Sequence, residues 1–260
     1  MAALAIGLAA TACAFHAGAQ ALRPIRIIPA SPAAGEPFVI QVTGATPGMP
    51  AYHLGSTVEV SGTTISMSAN ISEGDFSVPG AYRAAAVATA PAPGTYQLDM
   101  QAQSQMNSYA RRTIGSVIVG APTPAASPQY RALSGHWLAF DESGWGVTVT
   151  QGDSGALFAV WYTYRPTEPQ SGTFDAREEG LWLVMSNGRW ISPTEFRGIL
   201  YEARGTPSHL PFESSRTQLF PAGVATLRVL STERMEFQAE AGVGLAPEMN
   251  KRKTLQRLIF

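Results

Sequence analysis

No long segment of this chain carries a helical period; short runs of alternating or β-branched residues recur instead, cut apart by proline and glycine. The clearest run is Met235–Ala241, where the apolar residues fall on one side of a pleat and Glu236, Gln238 and Glu240 on the other. That pattern specifies sheet with one wet face, and it is repeated along the chain. The fold class expected is therefore all-β.

In the first half, strands are predicted at Arg26–Pro29, Pro37–Val42, Thr57–Ser61, Thr64–Met67, Tyr82–Thr89, Tyr96–Gln101 and Thr113–Val119. Seven short strands in roughly 100 residues suit an immunoglobulin-like sandwich, placed at residues 22–120. Pro93-Gly94-Thr95-Tyr96 reads either as the corner tyrosine of such sandwiches or as a core aromatic beside a turn. Residues 121–134, rich in alanine and proline, read as an extended linker. Beyond it, strands are predicted at His136–Phe140, Trp145–Gln151, Ala156–Tyr164, Gly180–Ser186, Phe196–Arg204, Val224–Leu230, Met235–Ala241 and Thr254–Phe260. About eight antiparallel strands joined by short turns imply an up-and-down meander or barrel over residues 135–260. Asn187-Gly188 is expected to form a tight hairpin, because both residues tolerate positive φ. The run Ala156–Tyr162 is apolar on both faces, so its outer face is expected to be covered by a neighbouring element or a partner.

Charge removes one function class. The formal net charge is −1 and neither half is basic, so the excess of cations that a phosphate backbone requires is missing and no nucleic acid is expected as a partner. The apolar stretch Ala2–Phe15, followed by Ala17-Gly18-Ala19, reads as a signal peptide over residues 1–19 and implies a secreted or periplasmic protein. No Lys or Arg precedes that stretch, so the leader is atypical or the true start lies upstream. Cys13, the only cysteine, lies inside it, in an Ala10-Thr11-Ala12-Cys13 sequence that departs from a lipoprotein box at Ala10. Cleavage after Ala19 leaves no thiol, disulfide or cysteine-ligated zinc. Counting back by twos from Phe260 gives Leu258, Gln256, Thr254 and Arg252, a face unsuited to lipid, so a membrane-spanning barrel is not expected. Lys251-Arg252-Lys253 reads as a solvated strand edge.

Several motifs in the second half occur together. Gly135-His136-Trp137, Glu142-Ser143-Gly144-Trp145-Gly146, Leu157–Tyr164 and Trp182-Leu183-Val184-Met185 resemble a β-rich domain of exported proteobacterial proteins, whose members often carry an immunoglobulin-like region in front. In that family a Gly-x-Trp-x-Asn-Pro-x-Glu-Ser-Gly-x-Gly opening precedes a Trp-Phe-Thr-Tyr strand and a Pro-x-Trp strand. The resemblance covers about residues 133–260 and implies fold and export; it carries no implication about activity. Here Ala139-Phe140 stand where Asn-Pro is usual, and Arg165–Glu179 form a longer charged loop.

Candidate chemistry is sparse. Gly152-Asp153-Ser154-Gly155 matches the surroundings of a serine-protease nucleophile, yet it also lies where a hairpin turn is required; besides His136, His53 is the only upstream histidine outside the leader, and it lies across the proline-rich linker from Ser154. His53, His136 and His209 are isolated, so no metal site and no cofactor are expected. Glu142, Glu195 and Glu202 offer carboxylates for glycoside hydrolysis, but an ion pair to Arg204 better accounts for Glu202, and Glu142 suits a turn acceptor. Asn70-Ile71-Ser72 matches a glycosylation sequon.

The most informative asymmetry is aromatic. All five tryptophans, Trp137, Trp145, Trp161, Trp182 and Trp190, fall within 54 residues of the second half. Indoles suit stacking on sugars as well as core packing. Trp145, between two glycines, and Trp190, after the Asn-Gly pair, are the two expected at the surface; Trp137, Trp182 and Glu142 complete the candidate binding set. The reading that follows is a non-catalytic exported binding or scaffold protein that contacts a polysaccharide or envelope protein through tryptophan-bearing loops. The alternatives are a small apolar ligand held inside the barrel, and a serine hydrolase using Ser154.

Overall fold

The computed structural model describes residues 23–76, 80–142, 144–166, 180–244 and 248–259. The leader at 1–19 with Cys13, Ser143, most of the charged loop at 165–179 and Phe260 lie outside these residues. The strands are β1 (Arg23–Ile28), β2 (Pro37–Thr46), β3 (Met49–Ser61), β4 (Thr64–Phe76), β5 (Gly80–Thr89), β6 (Gly94–Gln103), β7 (Arg112–Val119), β8 (Gly135–Leu138), β9 (Gly146–Gln151), β10 (Leu157–Tyr164), β11 (Gly180–Ser192), β12 (Glu195–Arg204), β13 (Gln218–Val229), β14 (Arg234–Ala241) and β15 (Met249–Arg257). One 3-10 turn, Ser214–Arg216, is the sole helical element among the described residues.

Strands β1 to β7 form two sheets, β1-β2-β5 and β3-β4-β6-β7, which enclose one core containing Phe38, Ile40, Met67, Tyr82 and Leu98. The two-sheet build matches the sequence expectation, with one departure from immunoglobulin topology. Strand β4 pairs with β6 in parallel, from Thr64↔Gln97 to Asn70↔Gln103, whereas immunoglobulin sheets are antiparallel. The long β3–β4 hairpin turns at Gly62, φ 56°, and it is the returning strand that lies beside β6. Tyr96 is a corner tyrosine in geometry: its partly buried hydroxyl donates to Ala92 O at 2.9 Å, four residues upstream.

Strands β8 to β15 form a closed antiparallel barrel in chain order. Closure is made where β8 meets β15, at Trp137↔Arg257 and Leu138↔Gln256. Eight strands leave an interior just wide enough for side chains to fill, and Trp137, Trp161, Leu183, Leu227, Phe237 and Leu255 fill it. A packed core of this kind displaces the idea of an internal ligand lumen. Apolar inside, with the Glu236–Arg252 ion pair outside, the barrel also inverts the pattern of transmembrane barrels, whose lumen is polar. No described helix is long and apolar enough to cross a membrane.

Asn187-Gly188 is not a hairpin turn. β11 runs straight through it, and the register jumps from Ser186↔Ile199 to Arg189↔Arg197, which is a bulge with one extra residue. Asn187 supplies the positive φ, 52°, that motivated the turn reading; the chain reverses later, between Ser192 and Glu195.

The segment 121–134 is a strap along the barrel. Ala126 N–H donates to Trp190 O at 3.1 Å and Gln129 N–H to Pro193 O at 2.7 Å. Leu133 is buried in the barrel core, and its N–H donates to Gln151 Oε1 at 3.0 Å. Sandwich and barrel also touch directly. Ile28, Val39 and Ala85 pack on Ile199 and Val224 of the barrel's outer wall. Gln41 Nε2 donates to Ala222 O and Gly242 O, both at 3.0 Å, and buried Glu36 pairs with Arg189 at 2.9 Å and Arg197 at 3.3 Å.

Candidate functional site

The barrel wall is apolar on its outside at two places, and the fold treats them differently. At β12 and β13 the sandwich covers it. At β10 and β11 the outward side chains Phe158, Tyr162, Tyr164 and Trp182 are exposed. Strand alternation explains the arrangement: Leu157, Ala159 and Trp161 enter the core, so the even-numbered residues must face out. Cross-strand pairing then lines up Gly146, Tyr162 and Trp182 in one row over β9, β10 and β11. The next row holds His136, Thr148, Val160 and Val184.

Tyr162 and Trp182 meet edge to face, with ring centroids 6.0 Å apart and planes at 74°. Together they form an apolar corner. Beside Tyr162 lies a shallow groove of about 340 Å³ lined by His136, Leu138, Gly144, Trp145, Thr148 and Tyr162. Gly146 opens it, because a side chain there would collide with Leu138, which lies over the glycine with Cδ2 2.6 Å from the place of a Cβ. His136 Nδ1 and Thr148 Oγ1 are hydrogen-bonded at 3.0 Å on the groove wall.

Trp145 and Glu142 meet in the loop between β8 and β9. Trp145 Nε1 donates to Glu142 Oε2, and Lys253 Nζ approaches Glu142 Oε1 at 3.0 Å. The ammonium, then the indole N–H, hold the Glu142 carboxyl below the usual carboxylate range, and the same contact raises Lys253. Glu142 is thus a clamp that pins the loop to β15 and sets the angle of Trp145, which is half-buried and packs near Phe237.

The other candidates are placed elsewhere. Trp137 is 0% exposed and donates to Leu133 O at 3.1 Å. Trp190, expected at the surface, is 5% exposed, donates to Gly155 O at 2.8 Å and stacks edge-on against Phe196. The bulge explains it: inward residues of β11 are odd-numbered up to Met185, and the extra residue shifts the phase so that Trp190 turns inward. Trp182, at 67%, is the most exposed indole of the set. Tyr162 and Tyr164 were not singled out from sequence, although the run Ala156–Tyr162, apolar on both faces, carried the signal.

Ser154 lies in the exposed turn between β9 and β10. Its Oγ accepts from Ala156 N–H at 3.4 Å, and no described histidine hydrogen-bonds it. Gly155, φ 86°, backs onto Pro128 of the strap. A turn held in place is what the motif forms. The three carboxylates of interest are ion-paired separately: Glu142 with Lys253, Glu195 with Arg228 at 3.5 Å, and Glu202 with Arg165 at 2.8 Å. No group of three potential metal ligands gathers among the described residues. Compared with known proteins, the chain matches no family model, no curated protein and no solved structure.

Proposed function

We propose that this chain is an exported, non-catalytic binding protein that holds a polysaccharide chain on the β9–β11 face of its barrel. The observation that carries the reading is the bare apolar wall. Phe158, Tyr162, Tyr164 and Trp182 are exposed on the very type of barrel surface that the sandwich covers at β12 and β13, and a contiguous exposed apolar patch marks an interaction site. Its chemistry favours sugar. Ring faces suit the C–H face of a pyranose, while the Tyr162 and Tyr164 hydroxyls, Thr148 and His136 offer hydrogen bonds at the edge. The 74° angle between Tyr162 and Trp182 makes a corner that grips one strand of polymer, where a crystalline surface would need coplanar rings. A closed barrel has no free edge at these strands, so added-strand recognition of a peptide is unavailable there.

The test is a pull-down on amorphous cellulose, chitin and peptidoglycan, with Trp182→Ala and Tyr162→Ala beside the parent protein. Retention on at least one polymer, weakened about tenfold or more by either substitution at unchanged Tm, is the expected result. Each stacked ring contributes on the order of 1 kcal/mol beyond its burial. Failure to bind any of the three, or equal retention by both variants, overturns the reading.

A further inference from the structure

A second concavity is unrelated to the aromatic wall. It lies between the sandwich and the barrel, has a volume of about 320 Å³, and draws Tyr52 and His53 from β3, Arg83 from β5, Arg204 from β12 and Phe220 from β13. Such a volume suits a small organic molecule, and junctions between packed units are common places for ligand sites.

One wall is a column built from both halves. His53 meets the Phe220 ring edge-on at 5.7 Å, and the Arg204 guanidinium carbon lies 4.7 Å from the centroid of the same ring. This arrangement fixes the guanidinium by cation–π attraction while leaving its in-plane N–H donors available. The only acceptor described for Arg204 is Glu202 Oε1 at 3.5 Å, a long contact. Glu202 is held more closely by Arg165, at 2.8 Å, so its negative charge is already met. His53 bonds Ser56 Oγ at 2.7 Å, and burial keeps its ring neutral down to a pH of about 4. Arg204 is therefore the cation of the lining whose in-plane donors remain available to an anion. Beside Gln41 and the phenols of Tyr52 and Tyr82, the rest of the lining carries an apolar side: Phe220, Pro221, Ala222, Val243, Ala51 and Ala85.

We infer that this junction binds a small organic carboxylate, with Arg204 on the carboxylate and the Phe220–Val243 side of the cavity around its hydrocarbon body. An anion with a compact apolar tail satisfies both halves of the lining at once. Inorganic phosphate satisfies the cation and leaves the apolar wall wet, and an uncharged analogue leaves the guanidinium unpaired. Contact with both halves also means that the bound anion stabilises the junction by mass action.

The experiment is titration calorimetry of the full chain with phenylacetate, phenylacetamide and inorganic phosphate, repeated on Arg204→Gln and Arg204→Lys. Saturable binding of phenylacetate is expected, with phenylacetamide and phosphate each weaker by about tenfold or more. Arg204→Gln is expected to lose at least about tenfold, and Arg204→Lys to retain part of the affinity because the charge remains. Arg204 is half exposed, so both variants are expected to fold, as circular dichroism checks. No saturable phenylacetate binding, equal binding of the amide, or undiminished binding by Arg204→Gln overturns the inference. Trp182→Ala is expected to leave phenylacetate affinity unchanged, which separates this cavity from the aromatic wall.

Discussion

Gln41 satisfies two carbonyls of the other half with one carboxamide, at Ala222 and Gly242, in a buried position. Gln41→Leu keeps the volume and removes both donors; Ala222 O keeps the Gly242 N–H at 2.8 Å, whereas Gly242 O loses the Gln41 donor. The expected loss is about 1–2 kcal/mol of unfolding free energy, read by urea denaturation. His53 makes a different kind of prediction. Burial depresses its pKa from 6.5 to about 4; a hydrogen bond with the Gly55 backbone opposes the shift and Arg204 adds to it. Between those two pH values the unfolded chain binds a proton that the folded chain refuses. Its contribution is therefore intact above pH 6.5 and is lost as pH falls towards 4. His53→Gln is expected to flatten that part of the stability profile, measured by denaturation at several pH values. Residue types were legible at this scale, but burial was not always. Trp190 follows an Asn-Gly pair and was expected at the surface; whether it faces in or out depends on one unpaired residue in β11, which local sequence does not encode. Trp182 sits at an ordinary strand position, and its exposure depends on which wall the sandwich covers.

Among the elements, the strands were the most readable feature, because period-two alternation and Gly/Pro punctuation are local signals. Met235–Ala241 was found within a residue of its true start. Pairing was less so: that β4 rather than β3 lies beside β6, and in parallel, is decided by packing across the sandwich core. The β11 bulge is the element whose disruption has the clearest consequence. A Cβ at Gly188 would sit 2.3 Å from Phe196 Cε1 and 2.7 Å from Arg197 O. Gly188→Ala is therefore expected to cost about 2–3 kcal/mol, an overpacking penalty against a ring and a backbone oxygen that have no room to yield. Deleting Asn187 is expected to join Ser186↔Ile199 to Arg189↔Arg197 through a Gly188↔Gly198 pair, to keep Trp190 inward in simple alternation, and to leave tryptophan emission unshifted.

Over the whole molecule, sandwich and barrel are bound by a strap, a buried carboxylate with two arginines, a carboxamide and a small apolar cluster. A linker alone says nothing of whether two units act together; these contacts predict one cooperative transition. Calorimetry of the parent protein is expected to show a single peak whose calorimetric and van't Hoff enthalpies agree, and Glu36→Ala combined with Gln41→Ala is expected to split it in two. The prolines of 121–134 favour extended chain, and extended chain without regular pairing docks as readily as it spans.

The barrel has a further consequence in time. Seven of its seams join strands that follow one another in sequence, while the eighth joins Trp137 and Leu138 to Arg257 and Gln256. Chain entropy makes that last contact the slowest to form. The cylinder must remain an open, curling sheet until β15 arrives, so a chain emerging from its amino end through a narrow channel keeps its hydrophobic lining unsealed until β15 is through.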